Sequence, residues 1–300
     1  MEDIRKRLSR GDVIVGDGAL GTMLMQRGLK SGEPPETFNL AQPHVLEEIA
    51  AEYLNAGAEI VTTNTLGASP LQLRRHSLDG KTEEINRSGV EAVRRAVGDK
   101  AYVSASVGPT SLLIKPYGKT EPEEAYSGFE RQIRELLAAG ADMICVETMT
   151  DLNEATLAVK AAQAVGPGVP VMATMTFENA PQGFFTIMRV SVEQAAAALE
   201  EAGATIIGSN CGYGIETMIG IAREFKKYSR LPIAIQANAG LPVIAEGRLI
   251  YPETPDFVAR MALELLGLGV QIIGGCCGTG PDHIRALRKV VDAHLNKLRS

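Results

Sequence analysis

Residues 139–165 read Ala-Gly-Ala-Asp-Met-Ile-Cys-Val-Glu-Thr-Met-Thr-Asp-Leu-Asn-Glu-Ala-Thr-Leu-Ala-Val-Lys-Ala-Ala-Gln-Ala-Val. The glycine at the front suits a left-handed helix cap. A near-continuous apolar run follows over 143–147 and closes on an acid, and a helical stretch begins at Leu152. A strand that is apolar at every position, rather than every second one, is buried on both faces, as in a parallel sheet. The unit is therefore strand, polar strand end, helix.

The same unit recurs in both directions along the chain. Strands are expected at 13–17, 59–64, 102–107, 143–147, 169–177, 205–211, 232–238 and 270–276. Helices are expected at 44–55, 123–139, 152–165, 192–202, 215–228, 255–266 and 281–297. The phrase Ala-Gly-Ala returns at 56–58 and 202–204; before the last strand Leu-Gly-Leu-Gly, 266–269, takes its place. Eight strands alternating with helices fit a (β/α)8 TIM barrel, and also an open doubly wound sheet. The polar residues favour the barrel. Nearly every strand runs into a polar or Gly-rich phrase (GDGALGT, TTNT, VGPTS, VETMTD, TFEN, SNCG, QANAG, GGCCGT). A barrel gathers all eight such ends around one mouth. A single α/β domain, a (β/α)8 barrel over 1–300, is expected. The longer connections 26–42 and 113–122 are either mouth loops or decoration.

The 30 basic against 36 acidic side chains leave a net charge of −6. No global field for nucleic acid or an anionic membrane follows from that balance. No apolar stretch is long enough to span a bilayer. The opening MEDIRKRLSRGDVIV is charged where a signal peptide is apolar. A cytoplasmic protein is expected, and its four cysteines, two of them adjacent, are read as reduced thiols.

Three of those thiols carry the strongest chemical signal. Cys211 ends the sixth expected strand, and Cys276 and Cys277 end the eighth, all among glycines. On a barrel rim these ends lie two strands apart, close enough for three thiolates to converge on one ion. Three Cys around Zn(II) leave a fourth tetrahedral position open, the layout of a catalytic site. A lone Cys is as readily a small buried hydrophobe, and Cys145, inside an apolar run, is read that way. Glu147 and Asp17 also sit at strand ends. Each either pairs with a substrate ammonium or serves as a structural carboxylate bonded to backbone N–H groups. Asn64, Asn210 and Asn238 either bind substrate or satisfy turn backbone, and Asn238 is also within expected reach of the metal when substrate is absent. Gly16–Gly21 matches G-x-G-x-x-G after a strand. The interrupted helix beyond it and a second strand without a terminal acid argue against a dinucleotide site. The backbone N–H groups of that turn remain candidates for a substrate carboxylate. No His lies at a strand end, so no Ser-His-Asp arrangement is suggested.

Together these motifs resemble the homocysteine S-methyltransferase family. GDGALGTML (16–24), VTTNT (61–65), VETMTDLNEA (146–155), GSNCG (208–212), QANAGLP (236–242) and GGCCGTGPDHI (274–284) stand in the family's order and cover almost the whole chain. They are most similar to the homocysteine-binding domain of cobalamin-dependent methionine synthases. The resemblance implies a (β/α)8 barrel that holds zinc through Cys211, Cys276 and Cys277, with the homocysteine sulfur as fourth ligand. It also implies Glu147 and Asp17 on the substrate amino group, and backbone of Gly18, Ala19, Leu20 and Gly21 on its carboxylate. The expected reaction is methyl transfer to the homocysteine thiol, giving methionine. The chain ends after the last expected barrel helix, so methylcobalamin is expected to arrive on a separate corrinoid protein. Two alternatives remain: the same zinc-thiolate chemistry on another thiol, or run in reverse to feed a corrinoid protein; and a subunit that binds zinc or a thiol without turnover. One departure is the bulky segment 183–189, Gly-Phe-Phe-Thr-Ile-Met-Arg, where the family has a small Gly-Thr phrase. It is a candidate for altered acceptor choice or for partner contact.

Overall fold

Eight parallel strands follow one another around a ring: β1 (Ile14–Val15), β2 (Ile60–Thr62), β3 (Tyr102–Val107), β4 (Met143–Met149), β5 (Val171–Met175), β6 (Ile206–Asn210), β7 (Ile233–Ala237) and β8 (Ile272–Gly275). β8 pairs back onto β1 through Ile14↔Ile272 and Val15↔Ile273. A parallel bridge from Gly16 to Ile60 joins β1 to β2. This computed structural model describes residues 1–245 and 248–299. The expected barrel is the fold.

Alternation along each strand sorts the residues into two sets. One set, including Val61, Val103, Ile144, Val146, Ile207 and Ile273, packs outward against the helices in the main core. The other faces the barrel axis. At the N-terminal end it is apolar: Ile14, Ile60, Tyr102, Met143, Cys145, Met172, Ile206, Ala234 and Ile272 form one buried cluster. The helix Ile4–Ser9 adds Ile4 and Leu8 to that cluster and plugs the bottom. Toward the C-terminal end the inward positions become small or polar, as at Ser104, Gly208, Gly274, Ser106 and Glu147. Apolar on both faces below and polar inside above, the strands read as continuous apolar runs that end in polar phrases.

The expected helices are present, within one residue or two at their ends: Pro43–Ala56, Pro122–Ala138, Leu152–Val165, Val192–Ala202, Ile215–Tyr228, Pro255–Gly267 and Pro281–Arg299. Gly57, Gly140 and Gly203 take φ of +100°, +96° and +104°, the left-handed helix ends expected of them. A further helix, Thr82–Val97, lies between β2 and β3. It carries three acidic and three basic residues, and its buried side includes Ile85, Val90, Val93 and Val97. Two short hairpins extend the mouth: Glu178–Ala180 with Gly183–Phe185 after β5, and Val243–Ala245 with Arg248–Ile250 after β7.

Candidate metal and substrate site

The strand C-termini open into a cavity of about 510 Å³. Its wall takes residues 17–22 after β1, 32–36 from the first long connection, and 62–64 at the end of β2. Ser106, Glu147, Thr148, Cys211, Gln236 and 275–277 complete the inner wall. The connection 26–42 is thus a mouth loop; residues 113–122 do not line the cavity.

The three strand-end cysteines meet here. Cys211 leaves β6 in a left-handed conformation, φ +61°, and its carbonyl closes a tight turn with the Tyr213 N–H at 3.0 Å. Cys276 N–H donates to the Ala237 carbonyl at 2.7 Å, and the Cys277 carbonyl accepts from Ala239 N–H at 2.9 Å. The end of β7 therefore pins the β8 segment against the β6 turn. All three sulfurs lie within 4.8 Å of one another, and those of Cys211 and Cys277 are 3.8 Å apart. Tetrahedral coordination with bonds of about 2.3 Å places two sulfurs about 3.8 Å apart. Among the described residues this is the one cluster of potential metal ligands of its kind. The Cys211 thiol is pushed down because Cys276 and Cys277 hydrogen-bond to its sulfur, while Cys276 is pushed up because its proton is retained in that contact. A cation at the centre would replace the shared protons. The all-sulfur donor set suits a zinc-like ion. Cys145 belongs to the barrel floor and stays protonated through burial.

Of the four carboxylates that line the cavity, Asp17, Glu33, Glu36 and Glu147, two stand at strand ends beside the cysteines. Burial pushes Glu147 up to about 7, against a hydrogen bond from Ser106 Oγ of 2.5 Å, with Asp17 and then Cys211 raising it further. Burial likewise pushes Asp17 up to about 6. Asp17 accepts from Thr62 N–H at 2.6 Å and Thr62 Oγ1 at 2.9 Å. Its position thus matches the structural reading while its face remains on the cavity. Among the described lining residues there is no Lys or Arg. The field inside is anionic and favours a cationic group.

The other expected residues divide. Gly18 packs where a Cβ would stand 2.7 Å from the Thr279 carbonyl, so only glycine lets the β1 turn lie against the β8 loop. Ala19 N–H is taken by that carbonyl at 2.9 Å. Leu20 and Gly21 open the helix Leu20–Gln26, whose start no side chain caps, leaving first-turn N–H groups for an anion. Asn64 lines the cavity, but its Nδ2 donates to the Pro35 carbonyl and to Asn39 Oδ1, which fastens the mouth loop. Asn210 is fully buried behind the wall. Asn238, also buried, hydrogen-bonds to the Cys211 sulfur, and its Oδ1 has no partner. The segment 183–189 does not line this cavity; Phe184 packs on Gly220 of the helix Ile215–Tyr228.

Gln236 and Tyr251 are among the lining residues that the sequence did not single out. Gln236 is buried, and its Oε1 has no hydrogen-bond partner. Tyr251 lays its ring over Gly278 and hydrogen-bonds to Cys277, and burial pushes its hydroxyl up to about 12. Gln236 sits in the quoted phrase QANAG at a strand end, which is a usable signal; Tyr251 has none.

The family model for homocysteine S-methyltransferase matches residues 14–291. The methionine synthase of Mycobacterium leprae is 34% identical over an alignment of 298 positions that covers 93% of this chain and 24% of that protein. The methionine synthase of Mycobacterium tuberculosis is 33% identical with the same coverage. The chain thus spans about a quarter of the length of these curated relatives. The metallated crystal structure of the homocysteine methyltransferase MmuM from Escherichia coli superposes with a TM-score of 0.79 at 21% identity, over 96% of this chain and 99% of that one.

Proposed function

The chain belongs to the homocysteine S-methyltransferase family, and on that premise we propose that it transfers a methyl group to the thiol of homocysteine, giving methionine. In this reading residues 1–300 form one homocysteine-binding barrel, zinc is held by Cys211, Cys276 and Cys277, and a separate corrinoid protein delivers the methyl group. The observation that carries it is the convergence of three sulfurs within 4.8 Å on a cavity that also presents Glu147.

Zinc so bound would acidify a coordinated thiol, so that the homocysteine sulfur is a thiolate nucleophile at neutral pH. The protein's residues supply the rest. Three thiolate ligands leave one position for the substrate sulfur. Glu147, held by Ser106 and ionised once an ammonium approaches, receives the amino group. Asp17 supports it through the same anionic field. The open N–H groups of the turn into Leu20–Gln26 receive the carboxylate. The unpaired Gln236 Oε1 is a further acceptor for the ammonium. With both ends of the amino acid held, the sulfur is presented to an incoming methyl group rather than left to diffuse.

X-ray absorption at the zinc edge tests this reading. Three sulfur scatterers are expected in the resting protein and a fourth on adding homocysteine, with methionine formed from methylcobalamin or a methylated corrinoid protein. An unchanged metal shell with homocysteine present, or stoichiometric zinc with no turnover for any donor, overturns it.

A further inference from the structure

β4 carries an irregularity at the residue that faces the substrate. Val146 pairs with Ala173 but Met149 pairs with Met175, so β4 holds one residue more than β5 over this stretch. Simple alternation from the outward pair Ile144 and Val146 would turn Thr148 outward and Met149 toward the axis. The extra residue changes that. Glu147 and Thr148 both line the cavity, and Met149 rejoins the outer core. The bulge is what places two consecutive side chains at the mouth. Thr148 pays for it with φ +60°, a conformation that suits glycine and disfavours a β-branched residue.

A single side chain from β6 clasps this bulge. Asn210 Oδ1 accepts from Thr148 N–H at 2.8 Å and from Thr174 Oγ1 at 2.8 Å. Its Nδ2 donates to Thr148 Oγ1 at 2.8 Å and reaches Glu147 Oε2 at 3.4 Å. Asn210 has no exposed surface, so it does not itself meet substrate. It also precedes Cys211 in the chain, so one residue couples the metal side of the cavity to the ammonium side.

We infer that Asn210 is a positioning residue: its amide holds the Thr148 bulge in the left-handed conformation and so aims Glu147 at the amino group of the bound thiol. The inference rests on the ammonium role proposed for Glu147. Its signature is selectivity. Loss of the clasp weakens binding of the amino-acid thiol while leaving sulfur-to-metal binding of a plain thiol intact.

The test compares homocysteine with 4-mercaptobutyrate, the same chain without the amino group, by calorimetric titration of the zinc-loaded protein. Amide hydrogen exchange at Thr148 provides a second readout. Asn210→Ala is expected to weaken homocysteine about tenfold, to change 4-mercaptobutyrate less than about twofold, to keep its zinc, and to expose the Thr148 amide to exchange. Thr148→Gly in the Asn210→Ala background is expected to recover most of the homocysteine affinity, because glycine adopts the turn without a clasp. Asn210→Asp keeps the shape and both accepted hydrogen bonds but turns an oxygen toward Glu147; it is expected to lose the same selectivity even if the alanine variant does not fold. Equal weakening of both thiols, a Thr148 amide that stays protected, or no recovery with Thr148→Gly overturns the inference. If Glu147→Gln lowers the selectivity and the Asn210 variants do not, the inference alone falls. If Glu147→Gln leaves selectivity unchanged, the ammonium reading falls and takes the inference with it.

Discussion

The sulfurs of Cys211 and Cys277 stand 3.8 Å apart although 66 positions separate them in the chain. The barrel brings them together because their strands, β6 and β8, are both hydrogen-bonded to β7. No local turn could do so, which makes the cluster a property of the whole ring.

Removal of one of these sulfurs is expected to remove the metal. Cys276→Ala should lose zinc on dialysis, and its turnover should fall by more than about 100-fold, beyond the loss typical of changes behind a metal ligand. Cys145→Ala, on the barrel floor, should retain stoichiometric zinc. Metal analysis after dialysis checks both. Full zinc in Cys276→Ala would mean that the ion sits elsewhere. Chelation of the wild-type protein should lower its melting temperature, with recovery on adding zinc back.

The cysteines were legible because each closes a strand among glycines, so residue type and position point the same way. The parallel sheet was legible because its strands are apolar on both faces over the lower half, and the barrel because nearly every strand runs into a polar phrase. The helix Thr82–Val97 was harder to read because Asn86, Ser88 and Gly89, weak helix formers, stand in its interior. Asn210 stood among the candidates, but its role was hidden. A buried amide that clasps a bulge and an amide that meets substrate carry the same letter at the same strand end. Thr148 gave no sign at all, since nothing in its residue type announces a left-handed backbone. Gln236 was legible as a strand-end amide, while its unpaired oxygen is visible only once its neighbours are placed.

Glu147 is expected to make homocysteine binding depend on pH. The carboxylate pairs with the substrate ammonium only when ionised, and in the ligand-free cavity it protonates at about 7. Affinity should therefore fall as pH drops below 7. Thiol ionisation has the same sign, so the contrast between ligands decides. The fall should be steeper for homocysteine than for 4-mercaptobutyrate, and the difference should vanish in Glu147→Gln. That variant should bind homocysteine about 10- to 100-fold more weakly at pH 8, as for loss of a charge-assisted hydrogen bond, with zinc unchanged. Equal slopes for the two ligands in the wild type would remove Glu147 from the binding step.

The same carboxyl should penalise the metal-free, ligand-free fold at high pH. Its pKa is raised from 4.5 to about 7 on folding, mainly by burial. Below 4.5 both states are protonated and nothing is lost. As pH rises from 4.5 through 7 the unfolded chain ionises first, so stability declines and the penalty is complete above 7. Asp17, raised from 3.8 to about 6, acts in the same direction over a lower window. Glu147→Gln should therefore be more stable than wild type, by a margin that grows by roughly 2–3 kcal/mol between pH 5 and pH 8. Urea titrations in chelator and reductant measure it. A margin that shrinks with pH would show that the carboxyl is ionised and compensated in the empty cavity.

Gln236 separates stability from binding most sharply. Its Oε1 lies buried on the cavity wall without a partner, between the strands that carry Cys211 and Cys276. A buried acceptor left unpaired costs about 1–3 kcal/mol. Gln236→Leu removes that acceptor at similar volume, so the ligand-free protein should gain about 1 kcal/mol in stability. If the oxygen awaits the substrate ammonium, the same variant should bind homocysteine more weakly and leave 4-mercaptobutyrate unaffected. A stabilised variant with unchanged homocysteine affinity would assign Gln236 to the wall alone, and a destabilised one would mean that its amide already holds the ring together.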